Sequence, residues 1–247
     1  MIMHACRLLC LLLSVLPACV SAEAPQLVIG ISNALSEPRL IRHDAAVSGI
    51  VPEIAHALGG AVQRPVELLL LPRKRLPVAL QNGEIDGICL TSPNRLDLPQ
   101  VELRWTPVVF EDLEVVVGHP SSQPIRKVED LYGKMIGTPL GYHYPLLEDD
   151  FHSGRILRND APDEALNLRK LLMGRFSYII WKDDAARWYN KNGTAGTGLQ
   201  ISPLLIERTS LHCAFSPRSG LSETALAQAV RQLESDGTLR AIPQRYR

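Results

Sequence analysis

The sequence predicts an α/β fold of two similar halves, each built on a mixed, mostly parallel sheet. Three observations carry this. Short apolar runs alternate with helical patterns along the chain, as strand–helix–strand units require. The runs are nearly continuous, as in Ile85–Leu90, which suits strands covered on both faces. One unit also recurs: VALQNGEIDGICLTSPNR and, in the second half, LRKLLMGRFSYIIWKDDAAR share a helix, a glycine stop, an apolar strand and a polar loop.

The elements follow in order. Leu27–Ser32 reads as a strand, Val51–Leu58 as a helix ended by Gly59-Gly60, and Val66–Leu71 as a second strand. Leu76–Gln81 is helical and stops at Asn82-Gly83, before the strand Ile85–Leu90. After Glu111 the pattern restarts with the strand Leu113–Val117 and a break at His119-Pro120-Ser121-Ser122. Val128–Tyr132 is a short helix, Met135–Thr138 a strand, and Tyr144–Phe151 a helix. Ala165–Met173 is a helix closed by Gly174, followed by the strand Ser177–Trp181 and the helix Asp184–Asn190. A loop at Asn192-Gly193, a late strand at His212–Phe215 and an amphipathic helix over Glu223–Asp236 complete the chain.

The first segment reads as an export leader. His4 and Arg7 precede an apolar run, Leu8 to Leu16, that is too short to span a bilayer. Pro17 breaks the run, and Val20-Ser21-Ala22 supplies small residues where a signal peptidase reads. Residues 1–22 are therefore expected to be a signal peptide, and the mature chain to begin at Glu23 in the periplasm. Leu16-Pro17-Ala18-Cys19 offers a minor alternative, lipid anchoring through Cys19.

With 247 residues the chain is long enough for two lobes of about 100 residues each. Hydrophobic residues make up 46% and charged residues 21%, and the net charge is zero, so no basic surface for nucleic acid is expected. Three of the five cysteines lie in the leader. Cys89 and Cys213 remain as either two buried thiols or, in an oxidising compartment, a disulfide. No Cys/His spacing suits a metal, so neither metal nor cofactor is expected.

In open α/β sheets ligands bind beyond the carboxyl ends of the strands. That rule selects Asn33 after the first strand, Ser92 and Arg95 after the third, Gly141, Tyr142 and His143 after Met135–Thr138, and Asp183 after Ser177–Trp181. Arg95 offers a planar fork to a carboxylate. Asp183 can accept from an ammonium or cap the following helix. Gly141-Tyr142 is placed where a helix would begin, with backbone N–H groups open to an anion. Arg75 opens a helix near the same end, either as a second positive contact or simply as a solvated helix start. G-x-S-x-G, P-loop and H-E-x-x-H motifs are all missing.

Taken together, GIVPEIAHAL, ALQNGEIDGICLTSPNR, LYGKMIGTPLGY, LLMGRFSYIIWKDDA and ALAQAVRQLESDGTLRAIPQRY resemble, in order and spacing, the family 3 extracellular solute-binding proteins, which include amino-acid binders of ABC importers. The resemblance implies a two-lobed periplasmic-binding-protein type II fold, with residues 23–112 plus 213–247 in one lobe and 113–212 in the other. It implies crossings near Glu111–Val117 and Thr209–Phe215, with the returning strand beside the third, which would bring Cys213 near Cys89. Arg95 would then grip a ligand carboxylate, Asp183 an ammonium, and Gly141-Tyr142-His143 would supply further contacts.

Some positions depart from the pattern. Leu35 and Pro38 stand where an aromatic platform is usual, Gly49-Ile50-Val51-Pro52-Glu53 replaces G-F-D-x-D, and Tyr142-His143 replaces small hydroxyl residues. These argue against a standard amino-acid ligand.

The expected function is capture of a small polar, carboxylate-bearing or zwitterionic solute by hinge closure. The partner would be an ABC permease or a membrane sensor, and the protein a monomer. Two alternatives stand beside it. One is a dehydratase-like enzyme, with Asp183 or Glu148 as its acid. The other is an orphan sensory module, although no signalling domain follows Arg247.

Overall fold

The structure is a computed structural model, and it describes residues 25–44, 46–93, 96, 103–193 and 198–247. In the first half, β1 (Leu27–Ser32), β4 (Val66–Leu71) and β5 (Gly87–Thr91) lie parallel in the order β4-β1-β5. In the second, β8 (Met135–Pro139), β9 (Leu157–Ala161) and β10 (Tyr178–Lys182) lie parallel in the order β10-β8-β9. Two long strands join them: β7 (Phe110–Gly118) and β11 (Gln200–Phe215) run antiparallel to each other. β11 also pairs with β5, and β7 with β10. Among the described residues the chain forms one nine-stranded sheet, parallel at both ends and antiparallel in the middle. A two-residue strand, β6 (Arg104–Trp105), hangs on β11, and β2 (Ile41–Arg42) pairs with β3 (Val47–Ser48) apart from the sheet.

Both faces of each half are covered. In the first half, α1 (Ile50–Ala61), α6 (Glu223–Ser235) and α7 (Thr238–Gln244) pack over one face, burying Ile54, Leu58, Val230 and Ile242 against Ile29, Ile31 and Phe215. α2 (Leu76–Asn82) covers the other with Leu76, Ala79 and Leu80. In the second half, Tyr144, Leu147 and Ile156 lie on one face. Residues of α4 (Glu164–Leu172) and α5 (Asp183–Asn192) lie on the other, with Leu171, Ala185 and Ala186 buried against Val117 and Ile179. Covered faces are why these strands read as unbroken apolar runs.

Beside the unforeseen β2, β3, β6 and α7, the structure departs from the expectation as follows. Gly59-Gly60 do not end α1, which runs on to Ala61. A Cβ on Gly59 would sit 2.2 Å from Val66 Cγ2 and 2.8 Å from the Arg64 carbonyl oxygen, so the glycine permits close helix–strand packing. β11 begins twelve residues before the expected His212, because register shifts around Leu205 break its alternation and hide it from period-two reading. β9 was not expected at all: LRNDA is polar because it lies at the sheet edge with one face partly exposed. Finally, the helix expected over Tyr144–Phe151 is one short turn, α3 (Glu148–His152), and Gly141 (φ +80°) sits in a turn that opens no helix.

Cys89 and Cys213 face each other across β5 and β11 and form a disulfide closing a separation of 124 residues. Of the two readings left open by the cysteines themselves, the bonded one holds. The expected leader at residues 1–22, including Cys19, and Arg95 lie outside the described residues.

Candidate functional site

The carboxyl ends of β1, β5, β8 and β10 open onto one cavity of about 660 Å³. From the first half it is walled by the end of β1 and the turn that follows, by Leu90 and Thr91 of β5, and by Arg73. Asn33 is held in that turn by its backbone N–H donating to the Leu71 carbonyl at 2.9 Å, and its own carbonyl accepts from the Arg42 guanidinium. Leu90 takes the left-handed backbone conformation at φ +56°, strained for a side chain of its size, beside a bulge in β11 at His212/Cys213.

The opposite wall comes from the second half: Pro139, Leu140, Tyr142, Asp163, Glu164 and Lys182. Arg158 donates to the Tyr142 carbonyl at 2.7 Å and fixes the loop after β8. Asp163 caps α4, accepting from the Leu166 N–H at 2.7 Å. Glu164 accepts from the Trp181 indole at 3.1 Å.

Behind the cavity lies a buried charge network. Arg39 donates to Asp184 through Nε (2.9 Å) and to Asp112 through Nη2 (2.5 Å). Lys182 Nζ donates to Asp112 at 3.0 Å and to Glu114. These side chains are at most 9% exposed. The network ties the segment after β1, which carries Arg39, to β7, β10 and α5.

Burial alone would depress both cations, but the carboxylates around them outweigh it. Asp184 and Asp112 hold the Arg39 guanidinium above its ordinary range, and Asp112 and Glu114 do the same for Lys182. Glu114 shifts the other way: burial pushes its carboxyl up, and the attraction of Lys182 offsets that only in part. Its Oε2 is buried without a hydrogen-bond partner among the described residues.

Of the residues expected at the site, Asn33 and Tyr142 line the cavity. Ser92 is buried and does not line it, and neither does Gly141, which lies between Leu140 and Tyr142. His143 is 74% exposed, with Nδ1 3.0 Å from Glu148. Arg75 lies outside the lining and pairs with Glu84 at 2.8 Å. Asp183 is turned from the cavity, and both its oxygens accept from Arg187 at 2.9 Å. It is the first residue of α5, with Lys182 at the cap position. Glu148, proposed above as an acid, accepts from the Tyr144 N–H and does not line the cavity.

The charged lining residues Arg39, Arg42, Arg73, Asp163, Glu164 and Lys182 were missed, and of these Lys182 ends β10. Its signal was available: it is the one charged residue of β10, at the carboxyl end of an otherwise apolar strand. Asp112 and Glu114 also left a trace, as acids two apart in β7 and so on one face.

Among the described residues, no group of three His, Cys, Asp or Glu side chains is arranged for a metal, and no helix is long and apolar enough to cross a membrane.

No family model matches the chain, and no curated protein matches it in sequence. Solved structures do match in fold. Substrate-binding domain 2 of GlnP from Lactococcus lactis, in an open conformation, superposes with a TM-score of 0.71 at 14% identity, over 90% of this chain and 94% of that one. The periplasmic VFT2 domain of BvgS from Bordetella pertussis gives 0.70 at 17% identity, over 90% and 93%. An ancestral arginine-binding protein bound to glutamine gives 0.65 at 19% identity, over 90% and 97%. At such identities the likeness establishes architecture, and with the strand order above it assigns this chain the two-lobed periplasmic-binding-protein type fold.

Proposed function

We propose that the chain is an exported solute-binding protein that captures a small polar, carboxylate-bearing or zwitterionic solute in the cavity between its lobes and closes over it by hinge motion. The observation that carries this reading is the cavity, which lies at strand carboxyl ends drawn from both halves. The lobes would comprise residues 23–112 plus 213–247 and residues 113–212, with β7 and β11 as the crossings that flex. Asn33, Tyr142 and Arg95 are the proposed contacts retained from the sequence. Arg75 and Asp183 are dropped, because Glu84 and Arg187 engage them.

Residues 1–22 would direct the chain to the periplasm. The closed form would present both lobes to an ABC permease or a membrane sensor. The architectures it resembles include a substrate-binding domain of a putative amino acid ABC transporter, which supports the first partner, and the periplasmic VFT2 domain of BvgS.

The test is to purify the protein from the periplasmic fraction of an expressing bacterium and read its N-terminus and its native mass spectrum. A chain beginning at Glu23 and carrying a small-molecule adduct is expected. Retention of the leader, or failure to bind any small acid or amino acid by calorimetry, would count against the reading. Conversion of a cyclic carboxylate to a new product would transfer it to the enzyme class.

A further inference from the structure

We propose that Lys182 is the recognition residue of the second-half wall, and that it selects a carboxylic acid lacking an ammonium group, a dicarboxylate or keto acid, over an amino acid. This rests on the solute-binding reading above and narrows it.

A lysine ammonium carries three donors and no acceptor. Two of the three at Lys182 go to Asp112 and Glu114. The side chain is 7% exposed and lines the cavity, and Nζ stands 6.0 Å from the centre of the Tyr142 ring, which lines it too. Among the described residues no acceptor takes the third N–H, which leaves it for an oxygen brought in by the solute. A carboxylate or keto oxygen satisfies it, whereas an ammonium seated there would meet a like charge.

The carboxylates near this wall each accept a hydrogen bond from within the chain, those behind it from cations and the two that line it, Asp163 and Glu164, from neutral donors. Asp183 serves Arg187, and Arg247 lies 3.7 Å from it. Asp112 and Asp184 receive Arg39. Asp163 caps α4 from an exposed position, and Glu164 receives Trp181. Among the described residues the cavity lining holds four cationic side chains, Arg39, Arg42, Arg73 and Lys182, against two anionic ones, Asp163 and Glu164, and Asp112, Asp184 and Glu114 offset Arg39 and Lys182 from behind the wall.

The experiment compares acids with and without the amine on one carbon skeleton: glutarate and 2-oxoglutarate against L-glutamate, and succinate against L-aspartate. Each is titrated into the mature protein by calorimetry, and the co-purified solute is identified by mass spectrometry. Acids lacking the amine should bind at least about tenfold more tightly than their amino counterparts, and Lys182→Met should weaken them by about tenfold or more, as loss of a charged hydrogen bond does.

Because Lys182→Met strands Glu114, the double variant Lys182→Met/Glu114→Leu is read beside it, its folding checked by thermal melting. It removes the donor and its buried partner together, while Asp112 keeps Arg39. An amino acid that binds as tightly as its matched acid, or that co-purifies with the protein, overturns this proposal and leaves the solute-binding reading standing. So does unchanged acid binding in the double variant. A co-purified acid without an amine supports it. Absence of any binding and of any co-purified solute overturns both.

Discussion

β5 and β10 hold equivalent places in the two halves. Each is a short apolar strand reached through a helix and a glycine, and each pairs antiparallel with a strand that joins the halves. Yet β5 is tied to β11 by the Cys89–Cys213 disulfide, while β10 is tied to β7 where Lys182 meets Glu114. The covalent tie buries no charge and leaves Leu90 and Thr91 as a neutral wall. Among the described residues, the ionic tie leaves a cation with a third donor on the cavity and a carboxyl oxygen without a hydrogen-bond partner behind it. The same layout therefore yields one strand end that is neutral and one that carries charge. The first tie should answer to reductant and the second to pH.

The largest expected effect separates them. Reduction, or Cys89→Ser with Cys213→Ser, opens a loop of 124 residues and should cost about 5 kcal/mol by loop entropy. Urea unfolding with and without reductant measures it, and a loss under about 1 kcal/mol would mean that the two ties are not comparable. Next, Lys182→Met should cost about 3–5 kcal/mol by leaving buried carboxylates uncompensated, and Lys182→Met/Glu114→Leu should recover most of that. If the double variant were as unstable as the single one, the lysine's role would be packing rather than charge.

A smaller effect belongs to Glu114 alone. Its raised carboxyl holds a proton in the folded chain at pH values where the unfolded chain has lost it. Stability should therefore fall as pH rises from the ordinary carboxylate range through the raised value, then level off. Glu114→Gln should flatten that slope while the disulfide's contribution stays constant. The smallest lies in the first half, at the α1–α7 contact, where burial and a hydrogen bond to Glu53 push Tyr246 up to about 12. The unfolded tyrosine ionises first, so stability should decline between about pH 10 and 12, and Tyr246→Phe should remove that decline. Ligand-free unfolding curves across pH read both.

Much of the fold was legible because burial writes itself into composition. Leu27–Ser32 and Val66–Leu71 were located to the residue, and each is a run of apolar side chains with a polar residue only where the chain meets solvent or a turn. Elements without that imprint escaped: β9 at the edge, the bulged first part of β11, and α1 running through two glycines. At the site, Asn33 and Tyr142 were legible because a residue just past a strand's carboxyl end lies near the ligand position whatever its chemistry.

Sequence by itself determined the α/β layout, the recurrence of one unit in both halves, and which strand ends matter, all of which follow from local apolar periodicity. Tertiary structure decided the rest. At the end of β10, successive side chains point to opposite sides, so a shift of one residue exchanges a carboxylate for an ammonium: Asp183 turns to Arg187, and Lys182 faces the cavity. Whether Lys182 keeps its charge there depends on Asp112 and Glu114, some seventy residues away on β7. Only packing brings those groups within hydrogen-bonding distance, and burial away from water strengthens the attraction between them.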